Sequence, residues 1–398
     1  MDDTTPRARL SVSFWVLVAG SIVYFVAQGM LFPVLPKYIK HELGGGKFDI
    51  AFTVSSFAIG AMVARPLGGM FADRLGRRVV TIVGSLFWSL MVGLYPVAGT
   101  HGGIAALVAA RILGGLGGGI LFVAMAAIAT DLSPPDRRIQ GFGLFSSSTL
   151  IGFAIGPPLG LAVLDDRHYG RTFTLCAAIA VAPAIAMVFM PDTRPARHST
   201  ARPAIRSTLF HPAARRHGLA LLLGGLSYVT FAAFLPDYAD EVHLERVGIA
   251  LTLNPLANLV VRLVAARFVD RVERRLVAGV SLLFIVAAAL TLALWAAPAG
   301  IFTAAVLNGA GNAYLFPSFL AMTVDRVDDG ERALAIGSLT VYNDIAISGG
   351  GALLGIVAST VNYRGAFAAA AGLAACSFVI TMFSGREAVP AVETAIAQ

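Results

Sequence analysis

Twelve apolar runs, separated by short polar connections, partition this 398-residue chain from end to end. A helix needs about 20 consecutive apolar residues to cross a bilayer core. The runs begin near Val12, Phe48, Val79, Gly103, Ile139, Arg171, Gly218, Val247, Leu276, Gly300, Ala333 and Ala366. Several hold Gly or Pro, which membrane helices accept where neighbouring groups re-satisfy the backbone. Only 13% of the residues are charged, against about 25% in ordinary soluble domains. That is too little charge to cover a water-facing surface. The expected fold is therefore all-α and integral to the membrane, with twelve transmembrane helices.

The connections set the expected orientation, because Lys and Arg accumulate in cytoplasmic loops. With the N-terminus inside, 19 of the 30 Lys and Arg fall in inner loops and tails, 7 in outer loops and 4 within apolar runs. Both termini are then expected in the cytoplasm. The net charge of +7 reports this topology rather than an affinity for nucleic acid. The run from Ser11 to Pro36 is too long for a signal-peptide core and reads as the first span. The longest hydrophilic stretch, Pro191 to His217, carries Arg194, Arg197, Arg202, Arg206, Arg215 and Arg216. It reads as a cytoplasmic linker that divides the chain into 1–190, 191–217 and 218–398. Cys176 and Cys376 sit inside apolar runs, with a spacing that suits neither a metal pair nor a disulfide framework. No metal and no cofactor are expected.

The two halves repeat each other. The segment from Arg65 through Asp73 and Arg74 to Arg77 and Arg78 aligns with that from Arg262 through Asp270 and Arg271 to Arg274 and Arg275. Upstream, Leu35-Pro36-Lys37-Tyr38 pairs with Leu235-Pro236-Asp237-Tyr238. Downstream, Gly115, Gly117, Leu121, Phe122, Asp131 and Gly143 match Gly309, Gly311, Leu315, Phe316, Asp325 and Gly337 at one constant offset. Matches in the same order indicate parallel duplication of a six-helix unit, an arrangement used by secondary transporters. Two pseudo-symmetric six-helix bundles are expected.

On these residues the chain resembles the major facilitator superfamily, and within it the twelve-helix drug:proton antiporter branch, over essentially its whole length. Gly69, Asp73, Arg74, Gly76, Arg77 and Arg78 are similar to the family's signature between the second and third spans. Arg111, Gly114, Gly115 and Gly117 resemble its intramembrane arginine motif. Gly143, Gly152, Gly156, Pro157 and Gly160 resemble the fifth-span motif of exporters, with Leu161 where a final Gly is usual. The resemblance implies the major facilitator fold and alternating access. It also implies a conformational latch in which Asp73 and the arginines contact Asp131 and the start of the eleventh span. A carboxylate near that start, around Ala333, gains from the unsatisfied N–H groups of a helix N-terminus.

Physical reading of the same residues adds candidate roles. Gly152, Gly156 and Gly160 recur four apart, share one helix face and allow another helix to approach closely. Pro157 and Pro158 remove backbone donors there. Intramembrane charge is costly and marks function or a structural partner. Arg111 and Asp344 are the candidates for proton coupling. Arg111 has five donors and keeps its proton, with helix-one carbonyls or Gln28 as structural partners in view. Asp344 lies near the middle of the eleventh span, where burial makes ionisation costly and a carboxyl can exchange its proton. Arg65 and Arg262 occupy equivalent repeat positions near inner helix ends and read as snorkelling arginines. The first span holds no acid, and Gln28 stands where drug exporters of this resemblance often carry one.

The resemblance places a cavity among the first, fourth, seventh and tenth spans, with help from the second, fifth, eighth and eleventh. The candidate substrate residues are Tyr24, Gln28, Phe122, Tyr228, Phe231, Asn254, Asn258, Asn312, Phe316 and Asn343. Aromatics with a few amides suit an amphipathic organic ligand. The expected function is proton-coupled export of hydrophobic or cationic drugs or natural products from a bacterial inner membrane, by a monomer. Its partners would be a small-molecule substrate, protons and membrane lipids. A symporter or uniporter importing a sugar or other metabolite is the alternative, and a ligand-binding membrane sensor the alternative of another class. No HExxH or GxSxG is present, and Gly114 to Gly119 lie inside a span, so neither enzyme chemistry nor a phosphate loop is expected.

Overall fold

The computed structural model describes residues 10–134, 137–164, 168–190, 211–269, 271–328 and 331–383, with the side chains of Pro66, Asp73, Arg138, Ile139 and Ala333 outside the description. Among the described residues fourteen helices follow one another: α1 (Val12–His41), α2 (Lys47–Leu75), α3 (Arg77–Gly93), α4 (Tyr95–Asp131), α5 (Arg138–Val163), α6 (Tyr169–Ile179), α7 (Ala182–Val188), α8 (Pro212–Glu241), α9 (Val247–Val269), α10 (Arg274–Leu294), α11 (Pro298–Asn312), α12 (Leu315–Val324), α13 (Arg332–Thr360) and α14 (Tyr363–Phe383). Among the described residues, ten helical stretches are long and apolar enough to cross a membrane, with α6 and α7 forming one of them. The remaining two of the twelve segments are α3, at 17 residues, and the broken pair α11–α12.

Local chemistry explains the starts and breaks. The Ser11 hydroxyl accepts from the Phe14 amide at 3.2 Å and caps α1. Gly76 joins α2 to α3 at φ 94°, a left-handed conformation that a side chain would strain. This gives the glycine of the signature a backbone reason. Gly103, at φ 64°, bends α4. Pro317 lacks the amide that would bond the Ala313 carbonyl one turn back, and the tenth segment breaks there. α8 begins at Pro212, inside the stretch expected as linker, because a proline fits a first helical turn. Residues 191–210 of that linker lie outside the described residues.

In the first half α1 packs on α5, α2 on α4, and α3 against α4, α6 and α7. In the second, α8 packs on α13 and α14, α10 on α11 and α14, and α9 on α11. The halves meet through α2 with α13 and α5 with α9. Duplication reaches individual contacts. Tyr38 donates to the Pro96 carbonyl, and its repeat partner Tyr238 donates to that of Leu292. Arg77 pairs with Asp131 and donates to the Ala127 carbonyl; Arg274 pairs with Asp325 and donates to that of Ala321. Outward-facing Phe189, Leu263, Leu294 and Phe383 are exposed, as a surface solvated by lipid requires.

Candidate functional site

Between the halves lies a cavity of about 370 Å³. α1 supplies Tyr24, Phe25, Gln28 and Phe32; α2 supplies Ser55, Phe57, Ala58, Ala61 and Arg65. These α2 positions recur at three- and four-residue steps, which keeps them on one helix face. α4 adds Arg111, Gly118 and Phe122, α5 adds Thr149 and Phe153, α8 adds Tyr228, and α13 adds Asp344 and Ile347. The walls are thus largely apolar, with seven aromatic rings and three charged side chains among them.

Two of those charges are paired across the halves. An Arg65 Nη2 donates to Asp344 Oδ1 at 2.9 Å. Asp344 is 2% exposed, and its second oxygen has no hydrogen-bond partner. Arg65 keeps 32% exposure of its side chain. Snorkelling is therefore the wrong description of Arg65: it lies ten residues before the end of α2, about 15 Å along the helix, and turns to the acid instead. Its repeat counterpart Arg262 does not snorkel either. It donates from Nε to the Ala313 carbonyl at 3.1 Å, which Pro317 leaves without its helical donor.

Arg111 does not meet Asp344. It is 7% exposed and donates from Nε to the Thr53 carbonyl at 3.2 Å and from Nη2 to that of Val54 at 2.6 Å. Its guanidinium also lies 5.2 Å from the Phe57 ring centroid. Its structural partners are thus carbonyls of α2, not of helix one. Gln28 is engaged elsewhere, donating to the Tyr24 hydroxyl at 3.1 Å.

A smaller chamber of about 60 Å³ adjoins the first and shares Phe32, Phe153 and Tyr228 with it. Phe231, Asn254, Asn258 and Asn312 line it. Asn254 and Asn312 spend amide donors on Asn308 Oδ1, at 3.0 and 2.8 Å, so Asn308 is the centre of an amide cluster that sequence reading missed. Phe316 and Asn343 lie in neither cavity. Asn343 is rotated by about 100° from Asp344 on the same helix, and Phe316 packs into the second-half core beside Leu315 and Phe319.

The motif residues divide similarly. Gly152, Gly156 and Gly160 press α5 against Phe25, Val26, Gly29 and Met30 of α1, whereas a Cβ on Gly143 would meet nothing within 4 Å. Pro157 and Pro158 lie in the same stretch of α5 but off that face, with Pro158 turned toward Gly248 of α9. In the latch, Arg77 pairs with Asp131 and Arg78 donates to the Val188 carbonyl at 3.0 Å. A Cβ on Gly69 would likewise meet nothing within 4 Å, and Arg74 is exposed. The Asp73 side chain lies outside the described residues, so the described part of the latch joins α3 to α4 and α7 within one half.

The sequence also under-read the end opposite the arginine-rich loops. There Lys40 of α1 pairs with Asp237 of α8, and the Tyr363 hydroxyl of α14 donates to the same carboxylate. Lys47 lies 3.5 Å from Glu241 and 4.0 Å from the Tyr363 ring centroid. Asp237 is 7% exposed. The replacement of Lys37 by Asp237 within the repeated Leu-Pro-x-Tyr element was the available signal. Asp237→Asn is expected to shift the population toward opening at this end by tenfold or more, since a charge-assisted contact contributes about 1.5–3 kcal/mol. Distances between spin labels on the adjoining ends of α2 and α8 measure it; an unchanged distribution refutes a role for Asp237 in holding this end closed.

A twelve-segment helical bundle with a central cavity and closure at one end defines a membrane carrier. The chain matches the Major Facilitator Superfamily over residues 17–245 and 218–397, and it belongs to that family of secondary transporters. It is thus a multi-pass membrane transport protein, not an enzyme. An uncharacterised MFS-type transporter of Salmonella typhimurium is 27% identical over 92% of this chain and 94% of its own length. The quinolone resistance protein NorA of Staphylococcus aureus is 28% identical over 159 residues, 40% of each chain. Among solved structures, the nucleoside transporter NupG superposes with a TM-score of 0.72 at 15% identity, over 94% of this chain and 100% of its own. A peptide transporter POT bound to sulfate does so at 0.76 and 17%, over 93% of each chain.

Proposed function

We propose that this transporter is a proton-coupled exporter of amphipathic aromatic drugs or natural products, working by alternating access in a bacterial inner membrane. Asp344 carries the reading: a nearly fully buried carboxylate at the junction of the halves, held by one arginine, with one oxygen unpartnered in the wall of an aromatic cavity. Protonation would release Arg65 and loosen one half from the other, which links the proton to the conformational equilibrium. The partial likeness to a quinolone resistance protein and the α1–α5 glycine seam support export. In this reading the arginine-rich ends and both termini face the cytoplasm, 1–190 and 218–398 are the moving bodies of a monomer, and the state described is closed to the outside.

The test is uptake of a fluorescent amphipathic dye by inside-out vesicles with an imposed pH gradient. Transport should follow the gradient, and Asp344→Asn should reduce it to the level seen without a gradient. Gradient-independent transport, or an unaltered mutant, refutes coupling at Asp344. A second reading, import by proton symport, is favoured by the excess of two guanidiniums over one carboxylate in the lining. Linkage separates the two. In exchange, ligand competes with the proton, and acidification weakens binding; in symport, acidification strengthens it.

A further inference from the structure

The charge census of the cavity narrows the ligand beyond an amphipathic aromatic compound. Three charged groups line it: Arg65, Arg111 and Asp344. Arg111 is bonded to neutral carbonyls, so its charge is not cancelled by an acid. A ligand with only a positive charge would set three cations against one carboxylate. A ligand with only a negative charge would take Arg65 from Asp344 and leave the acid to be protonated. Anion and proton would then bind together, which is the linkage of symport rather than exchange. Among charged ligands, only a zwitterion avoids both outcomes.

We propose that the Arg65–Asp344 pair is the recognition site for an amphipathic zwitterion, whose carboxylate takes Arg65 while an ammonium on a neighbouring atom takes Asp344. The inference rests on the exchange reading above. The ligand inserts into the ion pair, so one pair becomes two and the net charge of the cavity is unchanged. Its ammonium takes the place of Arg65 at Asp344 Oδ1, and a turn of the carboxylate lets the buried, unpartnered Oδ2 share that donor. The partly exposed Arg65 guanidinium has donors beyond the Nη2 contact with Oδ1. The aromatic body lies among Phe25, Phe57, Phe122, Phe153 and Tyr228. Because the ammonium competes with a proton for the same carboxylate, arrival of the zwitterion at protonated Asp344 displaces that proton to water. Exchange of substrate for proton follows from this competition.

The probe is Nε-dansyl-lysine, an aromatic zwitterion, compared with its methyl ester, a cation, and its Nα-acetyl derivative, an anion. Binding to the purified full-length protein is read from dansyl fluorescence. At neutral pH the zwitterion should bind about tenfold or more tightly than either derivative, a difference equal to about 1.4 kcal/mol. Arg65→Gln should erase its advantage over the ester, and Asp344→Asn its advantage over the acetylated form. In weakly buffered acidic solution, binding should release protons. An ester that binds as well as the zwitterion overturns the proposal in favour of a cation site. An acetylated form that binds as well overturns it in favour of an anion site, and absence of binding by all three also overturns it. These comparisons use the unmodified protein and stand even if a variant fails to fold. Gradient-driven transport of the vesicle dye is read separately, so loss of the zwitterion preference leaves the export reading intact, whereas loss of gradient dependence removes that reading.

Discussion

Arg65→Ala is expected to destabilise the detergent-solubilised protein by about 3 kcal/mol, and the double variant Arg65→Ala with Asp344→Asn to recover most of that loss. Removing one partner of a buried ion pair costs about 3–5 kcal/mol, because the other charge is left uncompensated. The lower figure applies here since Arg65 is a third exposed while Asp344 is buried. Asp344 has no second donor to fall back on, as its Oδ2 is unpartnered. The repeat supplies an internal control. Arg262 occupies the equivalent position and donates to a neutral carbonyl, so Arg262→Ala should cost only about 1 kcal/mol. Thermal and denaturant melts of these three variants and of Asp344→Asn check the order. Additive losses in the double variant would show that the two residues do not act as a pair.

The architecture was readable because it is written in run length and repetition. A bilayer leaves few ways to satisfy a backbone, so twelve apolar runs and one constant offset suffice to specify two helical bundles. The close approaches were also readable: glycines four apart identify a seam, and α1 fills it. Partners within the site were harder. Arg65 and Arg262 look alike in sequence, and their difference lies in the helix opposite each. Duplication pairs the second span with the eleventh and the eighth with the fifth. Asp344 of α13 faces Arg65, but the residue at the matching offset in α5 is Leu150. With no acid there, Arg262 takes a carbonyl freed by Pro317. Crossing the repeat offset between halves would have exposed this asymmetry; reading each helix alone could not. The same limit applies to Asn254 and Asn312, whose amides are occupied by Asn308, a residue with no repeat signature of its own.

Gly156→Val should produce the larger packing defect. A Cβ at Gly156 would sit 2.6 Å from both the Gly29 Cα and the Val26 carbonyl oxygen, and these are backbone atoms of α1 that no rotamer change can move. Overpacking a core that can adjust costs about 1–3 kcal/mol. Here the two helices must separate along their shared face, and contacts of Gly152 with Phe25 and of Gly160 with Met30 are lost together. The expected result is a drop in melting temperature well beyond that of a single core substitution, with loss of the folded peak in size-exclusion chromatography at physiological temperature. Gly143→Val lies on the same helix and meets nothing within 4 Å, so it should alter stability by no more than about 0.5 kcal/mol. Gly29→Ala tests the seam from the other side, where a Cβ would meet the Gly152 carbonyl and Gly156 Cα at 3.1 Å and a small shift suffices. It should fall between the two. If Gly156→Val and Gly143→Val melt alike, close approach of the backbones is not what these glycines provide.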